Sequence, residues 1–168
     1  NIKWNSSSDI MQIYPYFTAD TIGGNIDTET YAFLGGYSFD LGGGTLGIET
    51  SYRAMQEFRA IDPRPRNIVS DITLKSGFSH ALFSNYTVAA QVHTNIYKQS
   101  GSVDFYHELG ASSEWLMSGF GKSFSRFGGN QSSVYYKSHA WGGQVGFIPL
   151  NVQGFYLSAE YTFRFLER

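Results

Sequence analysis

Gln153-Gly154-Phe155-Tyr156-Leu157-Ser158-Ala159-Glu160-Tyr161-Thr162-Phe163-Arg164-Phe165 alternates almost without fault between two kinds of side chain. Successive side chains of a β-strand point to opposite faces, so Phe155, Leu157, Ala159, Tyr161, Phe163 and Phe165 share one face. The other face carries Tyr156, Ser158, Glu160, Thr162 and Arg164. On the apolar face the rings lie toward the two ends with Leu157 and Ala159 between them. That is the order expected of a lipid-facing strand whose rings mark two membrane interfaces. The same alternation also fits the last strand of a soluble antiparallel barrel whose apolar face turns inward.

Working outward, the composition favours strands over helices. Aromatic residues make up 17% of the 168 positions, glycine contributes 19, and charged residues only 15%. Average soluble domains carry nearer a quarter charged residues. No apolar run reaches the eighteen residues of a transmembrane helix, whereas a barrel strand needs about 9–11 alternating residues. A net charge of −2 without lysine or arginine clusters argues against nucleic acid as a partner. The chain has no cysteine, which removes disulfides and thiolate chemistry. It opens Asn1-Ile2-Lys3-Trp4, as expected of a mature or excised chain.

The pattern predicts eight strands and no helix: 10–19, 30–41, 45–55, 68–82, 86–97, 105–117, 134–148 and the closing run from Phe155. Residues 1–9 are a polar lead-in, 20–29 a loop, and Gly42-Gly43-Gly44 a tight turn. Asp62-Pro63-Arg64-Pro65-Arg66 makes a stiff charged loop of 57–67, and Lys98–Asp104 is another loop. Residues 118–133 read as a long connection that could hide a short strand at 124–127. If the closing strand ends on the periplasmic side, this connection lies where a short turn is expected; an unrecognised strand pair, or a chain that is only part of a larger barrel, would account for it. The architecture expected is an all-β, antiparallel up-and-down transmembrane β-barrel of about eight strands, or the C-terminal portion of a larger barrel.

Two resemblances point the same way. The closing run resembles the C-terminal recognition strand of bacterial outer-membrane barrels, although Leu166-Glu167-Arg168 extend past the aromatic on which that strand usually stops. Arg59-Ala60-Ile61-Asp62-Pro63-Arg64-Pro65-Arg66-Asn67, Tyr97-Lys98-Gln99 and Arg126-Phe127-Gly128-Gly129 resemble an uncharacterised family of bacterial outer-membrane β-barrel proteins. Its members are longer, which implies that this chain is a C-terminal part. The resemblance implies a location in the bacterial outer membrane and brings no known activity.

The candidate chemistry lies on the polar face of the strands. Glu49, Arg53, Asp71, Lys75, His93, Glu160 and Arg164, with Glu108 and Glu114, are expected to form a lumen network, with Glu160 as a counter-charge for Arg164. Phe155, Leu157, Ala159, Tyr161, Phe163 and Phe165 are the expected lipid-facing set. Ser79-His80 and Ser138-His139 suggest an outer-membrane lipid hydrolase, but neighbours on a strand face opposite ways and cannot bond as nucleophile and base. Lys137 and His139 share a face with Tyr135 and Trp141, as an interfacial band would. Gly121-Lys122-Ser123 lacks the remainder of a phosphate-binding loop, and the four histidines lack metal-ligand spacing. The sequence thus predicts one non-enzymatic domain over 1–168, with no cofactor, metal or catalytic residue. Its expected partners are outer-membrane lipid and other outer-membrane proteins. The alternative is a soluble lipocalin-like barrel that binds a small hydrophobic ligand.

Overall fold

The alternation runs further along the chain than those segments suggest. The computed structural model describes residues 3–83, 85–106, 114–118, 121–126, 131–150 and 153–168. In it β1 spans Lys3–Asn5, a one-turn helix α1 spans Ile10–Ile13, and β2 spans Thr18–Gly24. Four long strands follow: β3 (Asp27–Leu41), β4 (Gly44–Phe58), β5 (Arg64–Phe83) and β6 (Tyr86–Asp104). The short β7 (Glu114–Met117) and β8 (Ser123–Arg126) precede the long β9 (Gln131–Pro149) and the closing β10 (Leu157–Glu167).

These ten strands make two antiparallel sheets, and neither closes into a barrel. One is a large six-stranded sheet in the order β10-β9-β6-β5-β4-β3, and the other a small sheet in the order β1-β2-β7-β8. The expectation of eight strands in one closed ring is thereby corrected. The sheet is up-and-down, but among the described residues β3 and β10 remain as free edges, with every residue of β3 exposed. The expected first strand, 10–19, divides into α1 and β2, because Pro15 cannot continue a hydrogen-bonded ladder. The stretch 20–29 is mostly strand, and Lys98–Asp104 extends β6 opposite Gln131–Lys137 of β9. Of the expected strand 105–117, residues 114–117 form β7, Phe105 and Tyr106 are not strand, and 107–113 lie outside the described residues. Phe155 and Tyr156 precede β10 rather than belonging to it.

Two local predictions hold. Gly42 and Gly43 take φ of 58° and 86° between β3 and β4, which is the geometry a two-residue primed hairpin turn demands and which side chains with a Cβ resist. The short strand anticipated near 124–127 is β8, which pairs with β7 from the end of the expected strand 105–117.

Register is nearly unbroken across the large sheet, with one irregularity between Ala81 and Phe83. Side chains therefore sort cleanly into two faces. One cross-strand row reads Phe33, Tyr52, Ile72, Ile96, His139, Phe165, and another Phe39, Leu46, Phe78, Ala90, Val145, Ala159. This apolar face is bare: Tyr37 is 72% exposed and Trp141 61%. The buried core lies on the opposite face, where Ile13 is fully enclosed by Met55, Val69, Tyr97 and Tyr136. A sheet that packs part of its polar face and leaves its apolar face open reverses the usual arrangement of a sheet in water.

Candidate functional site

The polar face of the large sheet has a filled half and an open half. The filled half lies toward the end where β4 stops and β5 starts. There the N-terminal segment folds back over the strands, so that Ser6, Ser7 and Ser8 of the supposed lead-in are buried. Asn67 donates to the Ser6 carbonyl at 2.8 Å, and the Ser8 hydroxyl donates to Glu57. Ile13 supplies the apolar contact, and Asp9 the ionic one.

Asp9 adopts a left-handed φ of 46°, a conformation that aspartate tolerates better than most residues. Its carboxylate meets the Arg53 guanidinium, which also contacts Asp71 at 3.2 Å. The Tyr97 hydroxyl lies 3.3 Å from Asp9 and 2.7 Å from Gln99. Asp71 in turn accepts from Asn95 at 2.6 Å. A chain of polar contacts thus runs from β4 through β5 to β6 and clamps the turn before α1. A second clamp is buried more deeply: Arg59 and Asp20 pair at 2.9 Å with almost no exposure. Asp20 also accepts the backbone N–H groups of Ile22 and Gly23, which fixes the end of β2. Gly24 lets the backbone pass against the Arg59 side chain, where an added Cβ would lie 3.1 Å from it.

The open half lies toward the short turns. Its floor is built from small and neutral side chains, with Thr45, Gly47, Ser79, Ala89 and Gly146 around a cleft. Gln91 donates to Gln144 at 2.9 Å, and Gln144 donates to Ser158 at 2.9 Å, which makes a hydrogen-bonded rung across three strands.

The sequence-predicted network is thus brought together in part. Arg53 and Asp71 are bonded, and Glu49 pairs with Lys75 at 2.9 Å at a half-exposed position. His93 lies 3.0 Å from the Thr162 hydroxyl, which donates to Glu160. Glu160 and Arg164 do not pair, because four residues along one strand separate their Cα atoms by about 13 Å. Arg164 donates instead to Gln12 at 2.6 Å. Glu108 lies outside the described residues, and Glu114 opens β7 in the small sheet. Of the lipid-facing set, Leu157, Ala159, Tyr161, Phe163 and Phe165 share the apolar face of β10. Ser138 is fully buried on the polar face while His139 sits on the apolar one, so the two side chains diverge.

Sequence reasoning missed Asp9, Gln12, Ile13, Asp20, Arg59 and Tyr97. One signal marked them indirectly. Met55, Val69, Tyr97 and Tyr136 are large apolar side chains on the otherwise polar face, and register brings them to one end of the sheet. Such a break in alternation is what a covered patch requires.

Neither a curated protein nor a solved structure matches the chain. Over residues 1–168 the chain matches, and therefore belongs to, the family of unknown function DUF6850.

Proposed function

We propose that this chain builds part of the wall of a bacterial outer-membrane β-barrel, with the N-terminal segment filling one end of the lumen. The observation that carries this reading is the reversed covering of the sheet: what packing there is lies on one half of the polar face, and the apolar face is bare. Strand length supports it, since the 20 residues of β5 extend about 65 Å and can cross the roughly 30 Å hydrocarbon core with ladder to spare. A soluble barrel with an apolar cavity would instead place the segment carrying Ile13 against the apolar rows.

The free edges specify what else the wall needs. In hydrocarbon an unpaired N–H or C=O costs several kcal/mol, so an open edge does not persist there. Bacterial membrane barrels begin at about eight strands, and this sheet has six. Further strands therefore pair with β3 and β10 to complete the ring. The role assigned is a membrane-spanning scaffold with a polar lumen, suited to transport or docking, and no residue is assigned a catalytic part.

Trp141 reports on the bare face, while Trp4 and Trp115 lie in the small sheet. A Trp4→Phe, Trp115→Phe chain refolded into vesicles should have its remaining fluorescence quenched by lipid brominated on the acyl chains. Monodisperse behaviour in plain buffer with no such quenching refutes the membrane wall.

A further inference from the structure

We propose that Lys98 and Lys137 form a site for the phosphate of an anionic lipid headgroup at one border of the apolar face. The inference rests on the membrane reading and names the partner of that face. In sequence Lys98 opens what looks like a loop, far from Lys137. Pairing of β6 with β9 sets the two directly opposite each other. Like charges opposed across strands destabilise a sheet unless an anion sits between them.

The surroundings leave this pair under-compensated among the described residues. Their cross-strand row reads Tyr31, Ala54, Ser70, Lys98, Lys137, Glu167, so a single carboxylate flanks two ammonium groups. Toward the sheet centre the neighbouring row holds Ile96, His139 and Phe165, and away from it lie Ser100 and Tyr135. His139 and Tyr135 are the other ionisable side chains on this face in the adjacent rows of these two strands, and neither supplies a carboxylate.

The depth fits a headgroup. On β6 the uncharged outward run from Tyr86 to Ile96 covers about 33 Å of strand, or about 25 Å of height at a tilt near 40°. That is the height of the apolar band of a membrane barrel. Tyr86 stacks on Phe147 at 4.4 Å at the far border, as an aromatic girdle does. The two lysines stand one step beyond the near border, where long stems can lie along apolar surface while the ammonium groups reach phosphate.

The test uses the full chain in neutral-detergent micelles, titrated with phosphatidylglycerol or phosphatidylcholine and read by native mass spectrometry. Wild type should prefer phosphatidylglycerol up to roughly thirtyfold, given the attraction of each of two lysines to an anionic surface. Lys98→Gln with Lys137→Gln should bring the two lipids to parity. Lys98→Arg with Lys137→Arg, and separately Lys122→Gln, should keep the preference. Retention of the preference in the double glutamine variant overturns the site. Displacement of the lipid by millimolar inorganic phosphate overturns the lipid assignment and makes it a free-phosphate site. A chain that takes up neither lipid fails the membrane reading itself, and the site falls with it.

Discussion

Ile13→Ala tests whether the N-terminal segment is held on the sheet by packing. The side chain is fully buried against Met55, Val69, Tyr97 and Tyr136. Truncation removes three carbons, worth about 2.4 kcal/mol at roughly 0.8 kcal/mol per buried group. A cavity term carries such changes into the range of about 2–5 kcal/mol where the site cannot collapse. Here the loss falls on docking of the segment rather than on the ladders of β5 and β6, which keep all their hydrogen bonds. Amide exchange separates the two. Ser6 donates to the Thr18 carbonyl, Tyr16 to the Ile13 carbonyl, and Thr18 to the Ser7 hydroxyl, so these amides are protected only while the segment is folded. Their exchange should accelerate by roughly 60-fold, the equivalent of about 2.4 kcal/mol, with β5 and β6 amides unchanged. An equal acceleration in the ladders would show that segment and sheet open as one unit. No acceleration anywhere would refute the packing argument.

Three further perturbations address the ionic clamps and the faces. Asp20→Asn or Arg59→Met, each leaving an uncompensated buried charge, should lower stability by about 3–5 kcal/mol in denaturant titrations, whereas replacing both with apolar residues of similar volume should recover most of the loss. Arg53→Met should destabilise by about 1–2 kcal/mol and by more than Asp9→Asn, because it leaves Asp9 and Asp71 facing each other without their shared cation; the partial exposure of all three keeps the effect modest, and urea midpoints would rank them. Arginine at Ala159, level with Ala90 near the middle of the apolar band, should cost about 2–4 kcal/mol in refolding from urea into vesicles, whereas arginine at Ser158 on the polar face should cost far less; equal costs would argue that both faces meet water.

Much of the large sheet was legible because a two-residue period leaves little freedom. Once Phe155–Phe165 fixes which parity is apolar, hairpin pairing carries the same choice across to β3. Strand ends were less legible. Lys98–Asp104 is rich in polar and small residues and reads as loop, yet it continues β6 because β5 and β9 supply a ladder on both sides. Closure was illegible, since alternation records faces and says nothing of whether the edge of β3 reaches that of β10. The N-terminal segment was illegible for another reason. Its contacts join Asp9 to Arg53 and Asp20 to Arg59 over some forty positions, and no local period encodes such a pairing. The supposed Glu160–Arg164 pair failed on simple geometry, since residues that share a face four apart on a strand are too distant to bond.

The arrangement of connections follows from the same segment. The facing ends of β3 and β4, of β5 and β6 and of β9 and β10 lie at one end of the sheet, while those of β4 and β5 and of β6 and β9 lie at the other, where β10 also ends; 26 positions separate β6 from β9 in sequence. A length of that order looks excessive for an ordinary turn on the side where the closing strand stops. It is accounted for by β7 and β8, which add two strands beside β2 and so complete the small sheet that β1 begins. Neither a two-stranded ribbon from residues 3–24 nor a hairpin from 114–126 is stable alone in water. Together they form four strands beside the packed patch around Ile13, and the Asp20–Arg59 pair ties this sheet to the link between β4 and β5. β7, β8 and the N-terminal segment are therefore parts of one device, and removing β7 and β8 would release the segment from the polar face of the large sheet as surely as removing Ile13.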